Sequence, residues 1–306
     1  MKNQEPSQTG DRSYSPPEEP ERGSSKWGYD DERGAANMMT SEKVLESISL
    51  IKEGKTYQLG RIYEKGMPWS WELEIPVSPT SPPQGINQST GFHERLDIAN
   101  IHVGTHMDAL VHVGIGDSFY NGFDRRELFT SEGVTKLGIE QVGVFLTRGI
   151  LLNIPSLKGK PALEKDYEIT DEDLNHALQK HNLQIRSGDV VLIHTGWGSR
   201  WRDNDSEHGY LSGEPGLGVS AAHFLVQQQI VLVGSDNWGI EVLPTKEHDA
   251  FCPVHQILLT VNGIYLLENL NTTEMIRDNV YEFAFFFAPI PIKGATGSFG
   301  NPVAVC

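Results

Sequence analysis

The chain has 306 residues, a formal net charge of −16 and two cysteines, with 38% hydrophobic residues. That length suits one large domain or two ordinary ones with a real core, and the acidic balance argues against a nucleic-acid or anionic-membrane binder, which needs a basic surface. Cys252 and Cys306 make neither a disulfide framework nor a Cys-rich zinc site; a reducing, cytoplasmic setting is expected, with no secretory leader and no stretch long enough to span a bilayer.

Residues 1–25 place Pro6, Pro16, Pro17 and Pro20 among Ser, Glu, Asp and Arg. Such a segment buries too little to offset its ordering entropy, so a disordered tail is expected, followed by one domain over 26–306. Thr40 or Ser41 caps a helix whose apolar residues are Val44, Leu45, Ile48 and Ile51, with Gly54 as its stop. Residues 74–93 hold four prolines and read as a long loop, a common place for a functional lid.

Gly143 to Asn153 reads as apolar strand. Thr170-Asp171-Glu172-Asp173 opens a capped helix that continues to His181. Gly188 to His194 is a turn and a buried strand, Ser220 to Gln229 a helix, and Ile230 to Val233 a further buried strand. His255 to Val261 looks helical and stops at Asn262-Gly263, before a strand over Ile264 to Leu267. Tyr281 to Pro289 is apolar but short, a buried strand rather than a membrane span. Strands alternate irregularly with helices and no repeat is visible, so the chain reads as α/β with substantial sheet.

The densest chemistry lies in His102-Val-Gly-Thr-His106-Met-Asp108-Ala-Leu-Val-His112, three imidazoles and one carboxylate in eleven residues. Neutral imidazole plus carboxylate suits a divalent Zn, Mn or Fe ion. His106 and Asp108 are two apart and face one side of an extended chain, and Gly104-Thr105 offers a bend that brings His102 to the same side. One metal can take His102, His106 and Asp108, which leaves His112 beside it as a proton shuttle. Glu268, at the end of an apolar strand, needs a partner, and His255 is a second candidate donor.

The spacing His102-x-Gly-Thr-His106-x-Asp108-x-x-x-His112 resembles the signature of the metal-dependent cyclase family, which includes kynurenine formamidases and isatin hydrolases. Leu110 stands where the family has proline. His255-Gln-Ile-Leu-Leu with Gly263-Ile-Tyr-Leu-Leu-Glu268-Asn-Leu resembles the family's C-terminal motif. Trp27-Gly-x-Asp30-Asp31-x-x-Gly34-x-x-Asn37, His194-Thr-Gly-Trp197 and Pro215-Gly-Leu-Gly218 also resemble its segments, over roughly residues 26 to 303.

The resemblance implies a swivelling β/β/α fold, a mixed sheet with flanking helices, and a homodimer or homotetramer. It implies His102, His106 and Asp108 as first-metal ligands, His112 as the catalytic histidine, and His255 with Glu268 completing a second site. One or two divalent ions, Mn or Zn, are expected. The implied activity is hydrolysis of an amide or ester by attack of metal-bound hydroxide with His112 as proton shuttle, either opening a cyclic amide or lactone or deformylating an aryl formamide.

An aromatic or cyclic small-molecule substrate needs flat apolar walls. Trp69, Trp71, Phe92, Trp197 and Trp238 are the candidates, and Trp197 and Trp238 stand out because each follows an apolar strand. Arg200 and Arg202 read as surface cations that could also bind a carboxylate. Two other classes use the same residues differently. A non-haem iron oxygenase needs two histidines and one carboxylate, and a noncatalytic metal-binding protein would close its shell with His112.

Overall fold

The computed structural model describes residues 14–68, 77–79, 83–94, 96–97, 100–247 and 250–306. Its centre is a nine-stranded mixed sheet. In chain order the strands are β1 (Thr56–Gln58), β2 (His106–Asp108), β3 (Phe145–Asn153), β4 (Val190–His194), β5 (Leu232–Ser235), β6 (Tyr265–Glu268), β7 (Glu282–Phe287), β8 (Gly297–Phe299) and β9 (Val303–Val305). Their spatial order is β1-β9-β7-β3-β4-β5-β6-β2-β8.

The four central strands, β3 to β6, run parallel, and every pairing outside them is antiparallel. Parallel strands covered on both faces carry continuous apolar runs. Ile150-Leu151-Leu152, Val190 to Ile193 and Leu232-Val233 are accordingly buried in one core. No helix among the described residues is long and apolar enough to cross a membrane.

The helices around the sheet include α1 (Ser41–Ile48), α2 (Asp171–His181), α3 (Val219–Gln227), α4 (Pro253–His255, widening into a π turn over Gln256–Val261) and α5 (Thr273–Asp278). Thr40 caps α1, and Thr170 with Asp173 forms a reciprocal capping box on α2. The π turn ends at Asn262, and Gly263 takes the positive φ of 61° that reverses the chain into β6.

The expected apolar face of α1 is not the one it buries. Leu45 and Ile48 are exposed, whereas Lys43 and Ser47 are buried. The Lys43 ammonium reaches Asp189 at 2.6 Å, and Asp189 also pairs with Arg148, itself bonded to Glu282 at 2.6 Å. A buried carboxylate flanked by cations outweighs the weak orienting pull of two aliphatic side chains.

The long loop contains a short antiparallel pair, Val77–Pro79 with Phe92–Glu94. Trp69 and Trp71 lie outside the described residues, as does the side chain of Phe92. Of the expected tail, residues 1–13 also lie outside them. Residues 20–25, however, are tied to the body. Ser118 Oγ donates to the Pro20 carbonyl at 2.8 Å, and the Gly23 and Ser25 amides donate to Asn121 at 3.1 and 2.9 Å. Their unpaired backbone groups find partners in the 118–122 loop, so a free tail cannot extend to residue 25.

Candidate active site

The site is built where β2 lies against β6. His106 pairs directly with Glu268 and Asp108 with Leu266, so the 106 and 268 side chains emerge on one face. His106 Nε2 lies 3.2 Å from Glu268 Oε2 and 3.6 Å from Asp108 Oδ1. His255, from α4, brings Nε2 to 3.4 Å from Glu268 Oε1 and 3.8 Å from Asp108 Oδ2.

His102 joins because the chain folds back before β2. Gly104 adopts φ +60°, and a Cβ there would lie 2.5 Å from the Tyr63 ring. The Tyr63 hydroxyl lies 2.7 Å from the carbonyls of Val103 and Thr105 and pins the bend. His102 then rests over Gly297 of β8, where a Cβ would come within 2.6 Å of the imidazole. Its Nδ1 reaches Asp108 Oδ1 at 2.8 Å.

Each ring has one nitrogen held from behind and one aimed inward. His106 Nδ1 lies 2.9 Å from the Gly104 carbonyl, His102 Nε2 lies 2.9 Å from Thr296 Oγ1, and His255 Nδ1 lies 2.5 Å from Glu241 Oε1. Such outer hydrogen bonds fix the tautomer that leaves a lone pair facing a cation. Thr296 and Glu241 have no signal in the sequence run; only the fold brings them behind these rings.

His112 stacks on His102 with ring centroids 3.8 Å apart, and its Nε2 lies 4.0 Å from Asp108 Oδ2. Two triads have donor atoms within 4.8 Å of one another on this face: His102, His106 and Asp108, and Asp108, His255 and Glu268. Asp108 is common to both. Its Oδ2 is buried with no hydrogen-bond partner, between two imidazole nitrogens. An orphaned carboxylate oxygen in that setting fits a divalent cation, as do the N and O donors around it.

The charges agree. Burial works against a charged His106, yet Glu268 and Asp108 outweigh it and raise the pKa to about 9. Burial opposes the charged form of His255 as well, and Glu241 and Glu268 carry it well above the usual histidine range. Burial opposes ionised Asp108 and Glu268, but the surrounding histidines hold both below their ordinary values. Three buried carboxylates, Asp108, Glu241 and Glu268, make no ion pair with Lys or Arg among the described residues. His112 differs: burial and its histidine neighbours push it down to about 4 against the pull of Asp108.

These groups open into a cavity of about 470 Å³ whose wall includes Trp238, Leu243, Phe251 and Cys252. Trp238 and Glu268 stand at the carboxyl ends of β5 and β6, the usual place for a ligand crevice in a parallel sheet. Trp197 does not line it. Its ring is 3% exposed, packs with Trp201 and Tyr210, and donates from Nε1 to the Tyr210 carbonyl at 3.0 Å. The turn after β4 is drawn inward because Asp236 accepts from the Thr195 and Gly196 amides. Arg202 pairs with Glu64 at 2.6 Å and Arg200 with Asp203 at 3.5 Å, both away from the cavity wall.

The Trp27 to Asn37 segment is a structural clasp. Asp31 accepts from Tyr120 at 2.6 Å and from Asn37 at 2.7 Å.

Comparisons with known proteins agree with this architecture. A solved structure described as "a novel cyclase" shares 32% identity, a TM-score of 0.81 and coverage of 92% of this chain and 96% of that one. Isatin hydrolase A from Labrenzia aggregata, bound to benzyl benzoate, shares the fold at 20% identity and a TM-score of 0.57, covering 82% and 93% of the two chains. A "predicted metal-dependent hydrolase" from Bacillus stearothermophilus does so at 21% identity and a TM-score of 0.52, covering 83% and 98%. A search of curated proteins finds no match. The expected fold, a mixed sheet with flanking helices, is thus the one found. The model of the Cyclase family, described as "Putative cyclase", matches residues 57–242, a span that holds the whole histidine run and the strands β2 to β5, and the chain belongs to that family.

Proposed function

We propose that this chain is a metal-dependent hydrolase of an amide or ester carbonyl, acting on a cyclic amide, a lactone or an aryl formamide. The observation that carries the reading is Asp108 Oδ2, buried and unpartnered between His112 and His255, at the junction of two donor triads. His102, His106 and Asp108 would hold one cation, and Asp108, His255 and Glu268 a second. Mn²⁺ and Zn²⁺ both suit nitrogen and carboxylate donors. A bound divalent cation supplies Lewis acidity toward the carbonyl and lowers the pKa of water toward neutrality.

The chain's own residues then have distinct tasks. His112 is neutral near pH 7, because its pKa is pushed down to about 4, and so is ready to accept a proton from water. Stacking on His102 holds its ring toward the Asp108 carboxylate. The same imidazole can pass the proton to the leaving nitrogen or oxygen. Trp238, with Leu243 and Phe251, offers an apolar wall for the ring of a substrate whose carbonyl faces the histidines.

An oxygenase would use only two histidines and one carboxylate, whereas here His102, His106, His255, Asp108 and Glu268 converge on one face. The test is to assay protein loaded with Mn²⁺ or Zn²⁺ against N-formyl anilines, isatin-like lactams and lactones, with and without oxygen. Turnover that needs metal and ignores oxygen supports the hydrolase. Turnover that stops without oxygen, or survives complete metal removal, sinks it.

A further inference from the structure

His255 presents its two nitrogens to two different sets of donors. Nε2 faces Asp108 and Glu268, at 3.8 and 3.4 Å. Nδ1 lies 2.5 Å from Glu241 Oε1. Cys252, the residue that opens α4 three positions before His255, stands close to this Glu241–His255 pair. Its sulfur, a Glu241 carboxylate oxygen and a His255 ring nitrogen all lie within 4.8 Å of one another. Glu241 and His255 are buried. Cys252 is a free thiol, partly exposed, and lines the same cavity as Glu241 and His255.

This donor set differs in kind from the other two. They offer only nitrogen and oxygen, whereas this one adds sulfur, and thiolate selects soft or borderline cations over Mg²⁺, Ca²⁺ or Mn²⁺. A tetrahedral zinc ion with bonds of about 2.3 Å to sulfur and 2.0 Å to nitrogen sets those donors roughly 3.5 Å apart.

We propose that Glu241, Cys252 and His255 form a separate position for a thiophilic divalent cation such as Zn²⁺, and that filling it inhibits the enzyme. The Cys252 thiol releases a proton to solvent as the cation binds, and the His255 Nδ1 proton passes to Nε2, so the ring stays neutral. The cation then replaces the hydrogen bond that aims the His255 ring. Nε2 is no longer held toward Asp108 and Glu268, and the second triad is disrupted. The ligand set stands without the hydrolase reading; the inhibition rests on that reading.

Cobalt titration of the full-length protein tests the ligand set, because a near-ultraviolet sulfur-to-cobalt charge-transfer band reports thiolate ligation whatever the activity. The band should form in wild type and in Cys306→Ser, and be absent from Cys252→Ser. Zinc should abolish it and, in the Mn²⁺-loaded protein, should depress turnover. Cys252→Ser should need about tenfold more zinc or above for the same fractional loss relative to its own zinc-free rate, as expected on losing a ligand. A wild type without the band overturns the proposal, and so does a band that Cys306→Ser removes and Cys252→Ser keeps. A band that forms with undiminished turnover overturns the inhibitory role. A band in a protein that hydrolyses no amide or ester leaves the cation position standing and sinks the hydrolase reading instead.

Discussion

Glu268 on β6 stands directly across the ladder from His106 on β2, with Oε2 3.2 Å from Nε2. This pairing joins two donor triads into one face, since Glu268 also meets His255 at 3.4 Å. Glu268→Gln keeps the size of the side chain and removes its charge. The expected outcome is a fall from two bound cations to one, with lower turnover and the first cation retained. Elemental analysis of the purified variant measures it, and an unchanged stoichiometry of two would remove Glu268 from the ligand set.

His112→Ala should keep at least the first cation and lose about 10²–10⁴-fold in turnover, the usual contribution of a positioned acid/base group. Metal content and single-turnover rates measured on the same preparation separate the two effects. If metal and rate disappear together, His112 is a ligand and the shuttle assignment is wrong.

Glu241→Gln leaves every cavity donor of the first triad in place but replaces the carboxylate behind His255. Affinity for the second cation should fall by about 10–100-fold, with the first cation held as in wild type. Competition against a metal-sensitive dye gives both constants. Equal affinities in the variant would show that the His255 tautomer needs no carboxylate behind it.

Asp236 makes a prediction about acid stability. Burial opposes its charge, but His194 and the Thr195 bonds prevail and hold its pKa at about 2, below the ordinary aspartate value of 3.8. A carboxylate depressed in the folded state stabilises above its unfolded pKa, and that stability is lost as pH falls through the folded value. The shift corresponds to about 2 kcal/mol, fully present above about pH 4 and gone below about pH 2. Asp236→Asn should therefore be less stable at pH 7, and the gap from wild type should close across that window in urea melts. A constant gap would show that the carboxylate's charge is not what matters.

Removing residues 1–25 should lower the melting temperature, because Pro20, Gly23 and Ser25 satisfy groups in the 118–122 loop. Each lost bond costs about 1 kcal/mol. Removing residues 1–13 alone leaves all of these bonds in place. Calorimetry on the two truncations is the measurement, and equal melting temperatures would mean that the contacts add nothing.

The run from His102 to His112 shows what a sequence can reveal unaided. Covalent spacing puts His106 and Asp108 on one face of a strand, and a glycine two residues before His106 allows the bend that turns His102 back toward them, although Tyr63 from an earlier segment pins it. Helix caps such as Thr40 and Thr170 were legible for the same reason, because the groups they satisfy lie within three residues. Glu241 carried no such mark. It becomes the partner of His255, fourteen positions on, only because the segment after β5 is folded against the start of α4. Trp197 reads as a cavity wall by its place after a strand, yet the Thr195 and Gly196 amides donate to the distant Asp236 and turn that segment into the interior. The exposed Leu45 and Ile48 were likewise overruled by Asp189, 146 residues from the Lys43 that it draws in. Local geometry is set by bonds and sterics along the chain. Which distant charge or wall a side chain meets is settled only when packing closes the loops between them.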